Sequence, residues 1–188
     1  MIKLPSPQKN DELFYEVKIP QERVAVLIGK EGETKKQIEE LTKTKMDIST
    51  EGDVTLSGED GLMLFMTKEI VKAIARGFNP KVALLLLKTD YALELIDLTD
   101  ITGKSKSDLL RLKGRLIGKG GKSREEVERL TDTYVSVYGK TVGIIGEIDN
   151  VMLARQALGM LLDGAMHKTV YHFLEKKKKE RLFGERPL

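Results

Sequence analysis

Two glycine-framed tetrapeptides carry the clearest chemical signal in this chain. They are Gly29-Lys30-Glu31-Gly32 and Gly118-Lys119-Gly120-Gly121, and each follows a short apolar segment and precedes a stretch with helical periodicity. Glycine has no side chain to hold a phosphodiester backbone away, and the free amides at a helix N-terminus attract anions. The pattern therefore indicates contact with the backbone of a nucleic acid.

The similarity between the two copies continues beyond the loops. The helical stretch after the first loop ends in Leu41-Thr42-Lys43-Thr44, and the one after the second loop ends in Leu130-Thr131-Asp132-Thr133. Gly118 stands 89 residues after Gly29, which is too long for a solenoid repeat and suits two small domains. The sequence therefore predicts an internal duplication.

The order β-α-α-β-β-α is predicted for each copy. Alternating or helical periodicity of apolar residues gives the elements. In the first copy these are a strand at 14–19, helices at 21–28, 33–42 and 60–76, and strands at 46–49 and 53–57. In the second they are a strand at 91–98, helices at 107–117, 123–131 and 149–162, and strands at 134–138 and 142–145. Ile38 and Leu41 are expected to face inward from their helix.

Five segments follow from this reading. They are a loose leader at 1–10, a first domain at 11–78, a bridging helix within 79–90, a second domain at 91–166 and a basic C-terminal segment at 167–188. The bridging helix, from Pro80 to about Lys88, is apolar on most faces and is expected to be wedged between the two domains.

The two copies differ in charge. Between Lys104 and Arg124 the only acid is Asp108, against eight cations: Lys104, Lys106, Arg111, Lys113, Arg115, Lys119, Lys122 and Arg124. In the first copy the cations are nearly matched by glutamates, and Glu31 inside the loop would repel a phosphate. Because phosphate contacts supply most of the sequence-independent affinity, the second copy is expected to bind more strongly. A solvated helix face is the alternative interpretation of the basic run.

Composition and motifs exclude several other classes. The chain has 188 residues, 40% hydrophobic and 32% charged, with a net charge of +3 and no cysteine. It shows neither an apolar run long enough to span a bilayer nor a signal-peptide pattern, so a cytoplasmic protein is expected. Gly120-Gly121-Lys122-Ser123 is similar to the end of a phosphate-binding Walker loop, but Leu116 stands where that motif needs glycine. An NTPase is therefore not expected.

Side chains outside the loops offer no paired nucleophile and base, so a non-catalytic protein without cofactor or metal is expected. His167 and His172 do not share a helical face, and they are interpreted as one hydrogen-bonded structural histidine and one surface histidine. Glu125, Glu126 and Glu128 are interpreted as solvated helix residues that could pair with Arg124 and Arg129.

These loops in this order of elements resemble the KH domain, an RNA- and single-stranded-DNA-binding module. The resemblance implies an α+β fold with two type I KH domains, each a three-stranded antiparallel sheet with helices on one face. It also implies a loop that clamps about four nucleotides, here Gly118, Lys119, Gly120 and Gly121, beside a groove lined by Ile117, Val127, Val135 and Val137. The basic side chains expected to assist are Lys113, Arg115, Lys122 and Arg124. A secondary site is expected at Gly29, Lys30, Gly32 and Lys35.

The sequence departs from the general KH pattern three residues after the second glycine of each loop. An aliphatic residue is usual at that position, and Lys35 and Arg124 stand there. A cation beside the groove favours phosphate contact or stacking on a base over purely apolar packing.

A narrower resemblance rests on Gly118-Lys-Gly-Gly-Lys-Ser123, Gly146, Asn150, Ala154-Arg155-Gln156-Ala157, Gly164, His167 and Val170-Tyr171. These residues are similar to the tandem-KH ribosome-assembly factors of archaea and eukaryotes, called partner of the Nob endonuclease in eukaryotes. The resemblance implies binding near the 3′ end of small-subunit rRNA, with a Nob-type endonuclease or a pre-ribosomal particle as possible partners. Two alternatives stay open: a protein-interaction scaffold, and an RNA-binding protein of RNA decay or translational control.

Overall fold

The computed structural model describes residues 13–184, with side chains as far as Arg181, and divides them into two units. The first unit ends at Ala75 and the second begins at Arg76. The leader predicted for residues 1–10 lies outside the described residues.

The first unit has the predicted order of elements. They are β1 Leu13–Lys18, α1 Gln21–Ile28, α2 Glu33–Thr42, β2 Lys45–Ile48, β3 Asp53–Gly58 and α3 Gly61–Ala75. Strand β3 is central and antiparallel to β1 and β2, with Leu56 opposite both Tyr15 and Met46. Val54 and Leu56 are buried while Asp53 and Thr55 are exposed, which is the period of a sheet with one covered face.

Helix α2 buries Ile38 as predicted, but the prediction that Leu41 faces inward is wrong, because Leu41 is 51% exposed. Thr42 takes the inward position one turn after Ile38, since residues four apart share a helix face. The Thr42 hydroxyl donates to the Ile38 carbonyl at 2.8 Å and lies 2.8 Å from the Thr44 hydroxyl, which satisfies its polar group inside the unit.

The second unit repeats the order and adds helices. Its elements are β4 Tyr91–Asp97, the short α5 Thr99–Thr102, α6 Lys106–Ile117, α7 Lys122–Thr131, β5 Tyr134–Tyr138, β6 Thr141–Glu147, α8 Ile148–Leu162 and α9 His167–Gly184. A short α4 precedes them at Pro80–Ala83. The strands are antiparallel in the order β4-β6-β5, which leaves β5 at an edge. Two three-stranded antiparallel sheets with helices confirm the predicted α+β fold.

Strand β6 is buried along its length up to Gly146 because both faces of the sheet are covered. Val142 and Ile144 point into the core that α7 and α8 close. Gly143 points the other way, where a β-carbon would lie 2.5 Å from the Phe78 ring. The absence of a side chain at Gly143 thus lets the chain before β4 lie flat on the sheet.

The segment predicted as one bridging helix is interrupted. Helix α4 is followed at once by a 3₁₀ turn over Leu84–Leu87. Asn79 caps α4 by accepting a hydrogen bond from the Lys81 amide at 2.9 Å. Ala83 and Leu86 are buried, and the turn packs on β4 and β6, so this segment is part of the second unit. Its placement between the units stays a prediction.

The C-terminal residues predicted only as a basic segment form α9 as far as Gly184. Val170 and Leu174 are four residues apart and fully buried, and α9 packs along α7 and α8. Its lysines face outward, where Lys178 reaches the Asp132 carboxylate at 3.3 Å. This helix therefore extends the core of the second unit.

Candidate nucleic-acid interface

The two glycine loops have nearly the same backbone. In the second loop φ is +73° at Gly118, +62° at Gly120 and +83° at Gly121. In the first loop the corresponding values are +76° at Gly29, +53° at Glu31 and +79° at Gly32. All these values lie in the left-handed region, which glycine adopts freely and other residues adopt at a cost. The first loop therefore has the backbone conformation of the second although a glutamate occupies its third position.

The first glycine of each loop is required by close packing. A β-carbon on Gly118 would lie 2.7 Å from the Ser123 β-carbon, and one on Gly29 would lie 2.3 Å from the Thr34 hydroxyl. Gly120 differs, because nothing lies within 4 Å of where its β-carbon would be. The middle of the second loop is thus an uncovered stretch of backbone that a phosphate can approach.

Helix α7 begins directly behind this loop. Gly121 at its N-cap provides no side-chain cap to the amides of the first turn. Lys119 and Lys122 flank these amides and are exposed. Uncapped amides at a helix N-terminus and neighbouring ammonium groups attract an anion. The second loop therefore offers a phosphate both hydrogen-bond donors and positive charge.

The basic side chains predicted on α6 have different surroundings. Lys113 is half-buried on that helix. Arg115 donates from Nε to the Leu161 carbonyl at 2.7 Å and from Nη2 to the Ala165 carbonyl. These bonds use the guanidinium of Arg115 to tie α6 to the end of α8. The position of Arg115 next to the loop was predicted, and this structural role was not.

His167 completes the same junction. Its Nε2 lies 2.8 Å from the Arg115 carbonyl, whereas His172 is exposed. The interpretation of one hydrogen-bonded histidine and one surface histidine is confirmed. The turn between α8 and α9 is thereby joined to the helix that leads into the second loop.

The residues predicted to line the groove divide into two pairs. Val127 and Val135 are 0% and 4% exposed and belong to the core, so they offer almost no surface to a ligand. Ile117 and Val137 are half-buried. Of the four predicted groove residues, only Ile117 and Val137 therefore leave apolar surface accessible.

Glu128 joins α7 to the edge strand. Its Oε1 accepts a hydrogen bond from the Val135 amide at 2.7 Å, and its Oε2 lies 3.6 Å from Arg124 Nε. The predicted pairing of Glu128 with Arg124 is confirmed, whereas its hydrogen bond to an edge-strand amide was not predicted. Glu126 does pair with Arg129 as predicted, at 2.5 Å. The hydrogen bond and the charge of Arg129 hold the pKa of Glu126 below its usual value.

The first unit has the same arrangement. Glu39 Oε1 accepts from the Met46 amide at 2.8 Å and lies 3.9 Å from Lys35 Nζ. In both copies the glutamate precedes the bonded strand residue by seven positions, a spacing that could have revealed the link in the sequence. Lys35 and Arg124 thus occupy equivalent positions beside the strand.

The surface around the first loop is mixed in charge. An open depression of about 640 Å³ there is lined by Lys30, Glu31, Glu33, Lys36, Gln37 and Glu40. Both acids and bases line it, in contrast to the basic second loop. The predicted inequality of the two sites in local charge is thus present in three dimensions.

Among residues 13–184, no helix is long and apolar enough to cross a membrane. The same described residues contain no cluster of three or more acidic, histidine or cysteine side chains placed to hold a metal ion.

Comparison with known families gives two matches. The model described as the eukaryotic-type KH domain, KH-domain type I, matches residues 92–179. The model described as the KH domain matches residues 14–72. Each match falls on one repeat of the fold and includes its glycine loop.

Similar proteins come from archaea and eukaryotes. A KH domain-containing protein of Methanocaldococcus jannaschii is 48% identical over 168 residues, covering 87% of this chain and 74% of the relative. The pre-rRNA-processing protein PNO1 of Chaetomium thermophilum is 31% identical over 137 residues, covering 72% of this chain and 49% of the relative. The chain therefore spans about half the length of that fungal relative.

A solved structure of the a/eIF2alpha–aDim2p–rRNA complex from Pyrococcus horikoshii contains a similar chain. It superposes with a TM-score of 0.84 at 44% identity, covering 90% of this chain and 96% of the other. At this identity and coverage the likeness extends through both units.

Proposed function

This chain belongs to the family of tandem KH-domain proteins that includes PNO1 and archaeal Dim2p, and we propose that it binds single-stranded rRNA during maturation of the small ribosomal subunit. The second loop is the main contact. The observation that carries this proposal is the uncovered backbone at Gly120 in front of the uncapped N-terminus of α7, flanked by Lys119 and Lys122.

The mechanism is binding without catalysis. The loop holds the phosphates by its backbone amides and lysines, while bases lie on the apolar surface of Ile117 and Val137. Arg124 adds a cation at this surface. Such binding would present or shield a processing site for a nuclease of the Nob type acting on the same RNA in the cytoplasm. The names of the relatives, one a pre-rRNA-processing protein and one found in a complex with rRNA, support this target.

The first unit supplies a weaker secondary contact through Gly29, Lys30, Gly32 and Lys35. Its loop has the clamp backbone, but Glu31 places a negative charge where a phosphate would pass.

The salt dependence of RNA binding tests the proposal. A loop that neutralises about three phosphates of a single strand gives a slope of log K against log salt of about −2. We expect affinity for a short single-stranded RNA, measured by fluorescence anisotropy, to fall more than tenfold between 50 and 200 mM salt. Affinity for a duplex of the same sequence should be lower throughout.

A protein-interaction scaffold is the rival function. It predicts no measurable affinity for short RNA and a partner interface that is insensitive to salt. Crosslinking of RNA in cells followed by sequencing would distinguish an rRNA target from the messenger RNAs expected of a factor in RNA decay or translational control.

A further inference from the structure

Arg124 is held over the junction between α7 and β5. The Glu128 carboxylate spans this junction, with Oε1 on the Val135 amide at 2.7 Å and Oε2 at 3.6 Å from Arg124 Nε. One carboxylate thus accepts a hydrogen bond from the strand and forms an ion pair with the guanidinium, which places the guanidinium near the strand. That location is beside the surface on which bases are expected to lie.

The shielding of Nε limits which nitrogens of the guanidinium a ligand can reach. Its Nε is shielded from solvent and, in the described part of the chain, has no hydrogen-bond partner, yet 41% of the side chain is exposed. A ligand that contacts the guanidinium therefore has to meet one or both of the two terminal nitrogens. Of these, Nη2 lies 3.9 Å from the Glu125 carboxylate, beyond hydrogen-bond distance.

The edge formed by the two terminal nitrogens consists only of donors. A guanidinium has no acceptor, and its rigid fork fits two neighbouring acceptors in one plane. Guanine presents such a pair at N7 and O6, and the unpaired Watson–Crick edge of cytosine presents one at N3 and O2. Adenine has a donor beside each acceptor on these edges, and uracil separates its two carbonyls with an N–H group.

The first unit lacks this edge. Lys35 occupies the equivalent position 3.9 Å from Glu39, but an ammonium group is a point charge without the planar fork. Both units therefore have a glutamate that joins the helix to the strand. In the first unit this glutamate faces the ammonium group of Lys35, and in the second it faces the guanidinium of Arg124.

We propose that Arg124 selects a base with two neighbouring acceptors, guanine or cytosine over adenine or uracil, and that Glu128 positions it for this contact. The inference rests on the RNA-binding function proposed above and adds base selectivity to it. Arg124 is the residue that touches the base, and Glu128 acts through Arg124.

Four RNA hexamers test this selectivity on the full chain. One is all uridine, and the others carry a single guanosine, cytidine or adenosine at a central position. The flanking uridines are identical, so the protein can bind each hexamer in the register that places the central base in its preferred site. We expect the guanosine hexamer or the cytidine hexamer to bind at least fivefold more tightly than the adenosine and all-uridine hexamers. The affinities of the guanosine and cytidine hexamers then identify which base is read.

Three variants connect this preference to the geometry. Arg124→Lys keeps the charge and loses the fork, so the preference should fall below twofold while affinity for the all-uridine hexamer changes less than twofold. Glu128→Gln keeps an oxygen for the Val135 amide and loses the charge facing Arg124, so the preference should weaken. Arg129→Lys on the same helix is the matched control and should keep it.

Different results overturn different claims. Equal binding of all four hexamers, or an undiminished preference in Arg124→Lys, contradicts the selectivity and leaves RNA binding intact. An undiminished preference in Glu128→Gln removes its positioning role. If none of the hexamers binds, both the selectivity and the proposed function are wrong.

Discussion

At the residue scale, Glu31 and Gly120 show that the same loop backbone can carry a charged side chain or none. Both have φ near +60°, in the third position of their loops. A non-glycine residue there carries a conformational cost, and Glu31 also places a carboxylate on the approach of a phosphate. The two loops therefore share a backbone conformation and differ in charge at the third position, so we expect the first loop to bind a phosphate more weakly.

Replacement of Glu31 separates the effect of its charge on RNA binding from the effect of its side chain as a whole. In a protein whose second loop is disabled, Glu31→Gln and Glu31→Gly should each raise affinity for a short single-stranded RNA about fivefold. A unit charge 4 Å away in water is worth about 1 kcal/mol, which gives this factor. Fluorescence anisotropy measures the change.

The two variants act as controls for each other. A gain in Glu31→Gly alone would show that the side chain blocks the backbone and that its charge is unimportant. Unchanged affinity in both would contradict the role assigned to Glu31.

The part of the site that could be predicted is the part encoded in contiguous residues. The glycine loops and the basic run around Gly118 can be predicted from the sequence, because their chemistry depends on residue type and local spacing. The bonds of Arg115 to the end of α8 could not be predicted, because they join residues 46 and 50 positions apart. The same holds for the burial of Val135, which depends on how the edge strand packs.

At the element scale, most helices and strands were predicted to within one or two residues, since glycine, proline and apolar periodicity mark their ends. Helix α9 was not predicted as a helix, because its fully buried apolar residues, Val170 and Leu174, are followed by a run of lysines that indicates a solvated segment. The segment before β4 was predicted as one continuous helix. Four successive leucines show no periodicity that would mark where the α-helix ends and the 3₁₀ turn begins. Contact with the sheet decides its shape.

Glycine substitutions test how the second sheet is covered. Gly143→Ala places a β-carbon 2.5 Å from the Phe78 ring and should lower the free energy of unfolding by about 1 to 3 kcal/mol, the usual cost of overpacking. Chemical denaturation of the full chain measures this loss.

Gly114→Ala and Gly159→Ala are matched controls. Both glycines lie inside helices with open space around the added β-carbon, so each change should stabilise by about 0.5 to 1 kcal/mol. A neutral or stabilising Gly143→Ala would contradict the close packing of Phe78 on β6.

At the scale of the whole molecule, the distribution of charge matters more than the net value of +3. The cations of the second unit collect beside an open loop, whereas those of the first are offset by glutamates. This asymmetry in charge can be predicted from the sequence. Its effect on RNA affinity can be tested directly because the two loops have the same backbone. A difference in affinity between the loops must then come from side chains.

The most direct test compares the same change in both loops of the full chain. Lys119→Asp with Gly120→Asp puts two carboxylates in the phosphate path, and Asp tolerates the left-handed backbone at position 120. Binding to a short single-stranded RNA should fall at least tenfold, about 1.4 kcal/mol. Lys30→Asp with Glu31→Asp should cost much less, since position 31 is already acidic. Unchanged affinity in the first variant with an unchanged circular dichroism spectrum, or a larger loss in the second, would contradict the assignment of the second loop as the main clamp.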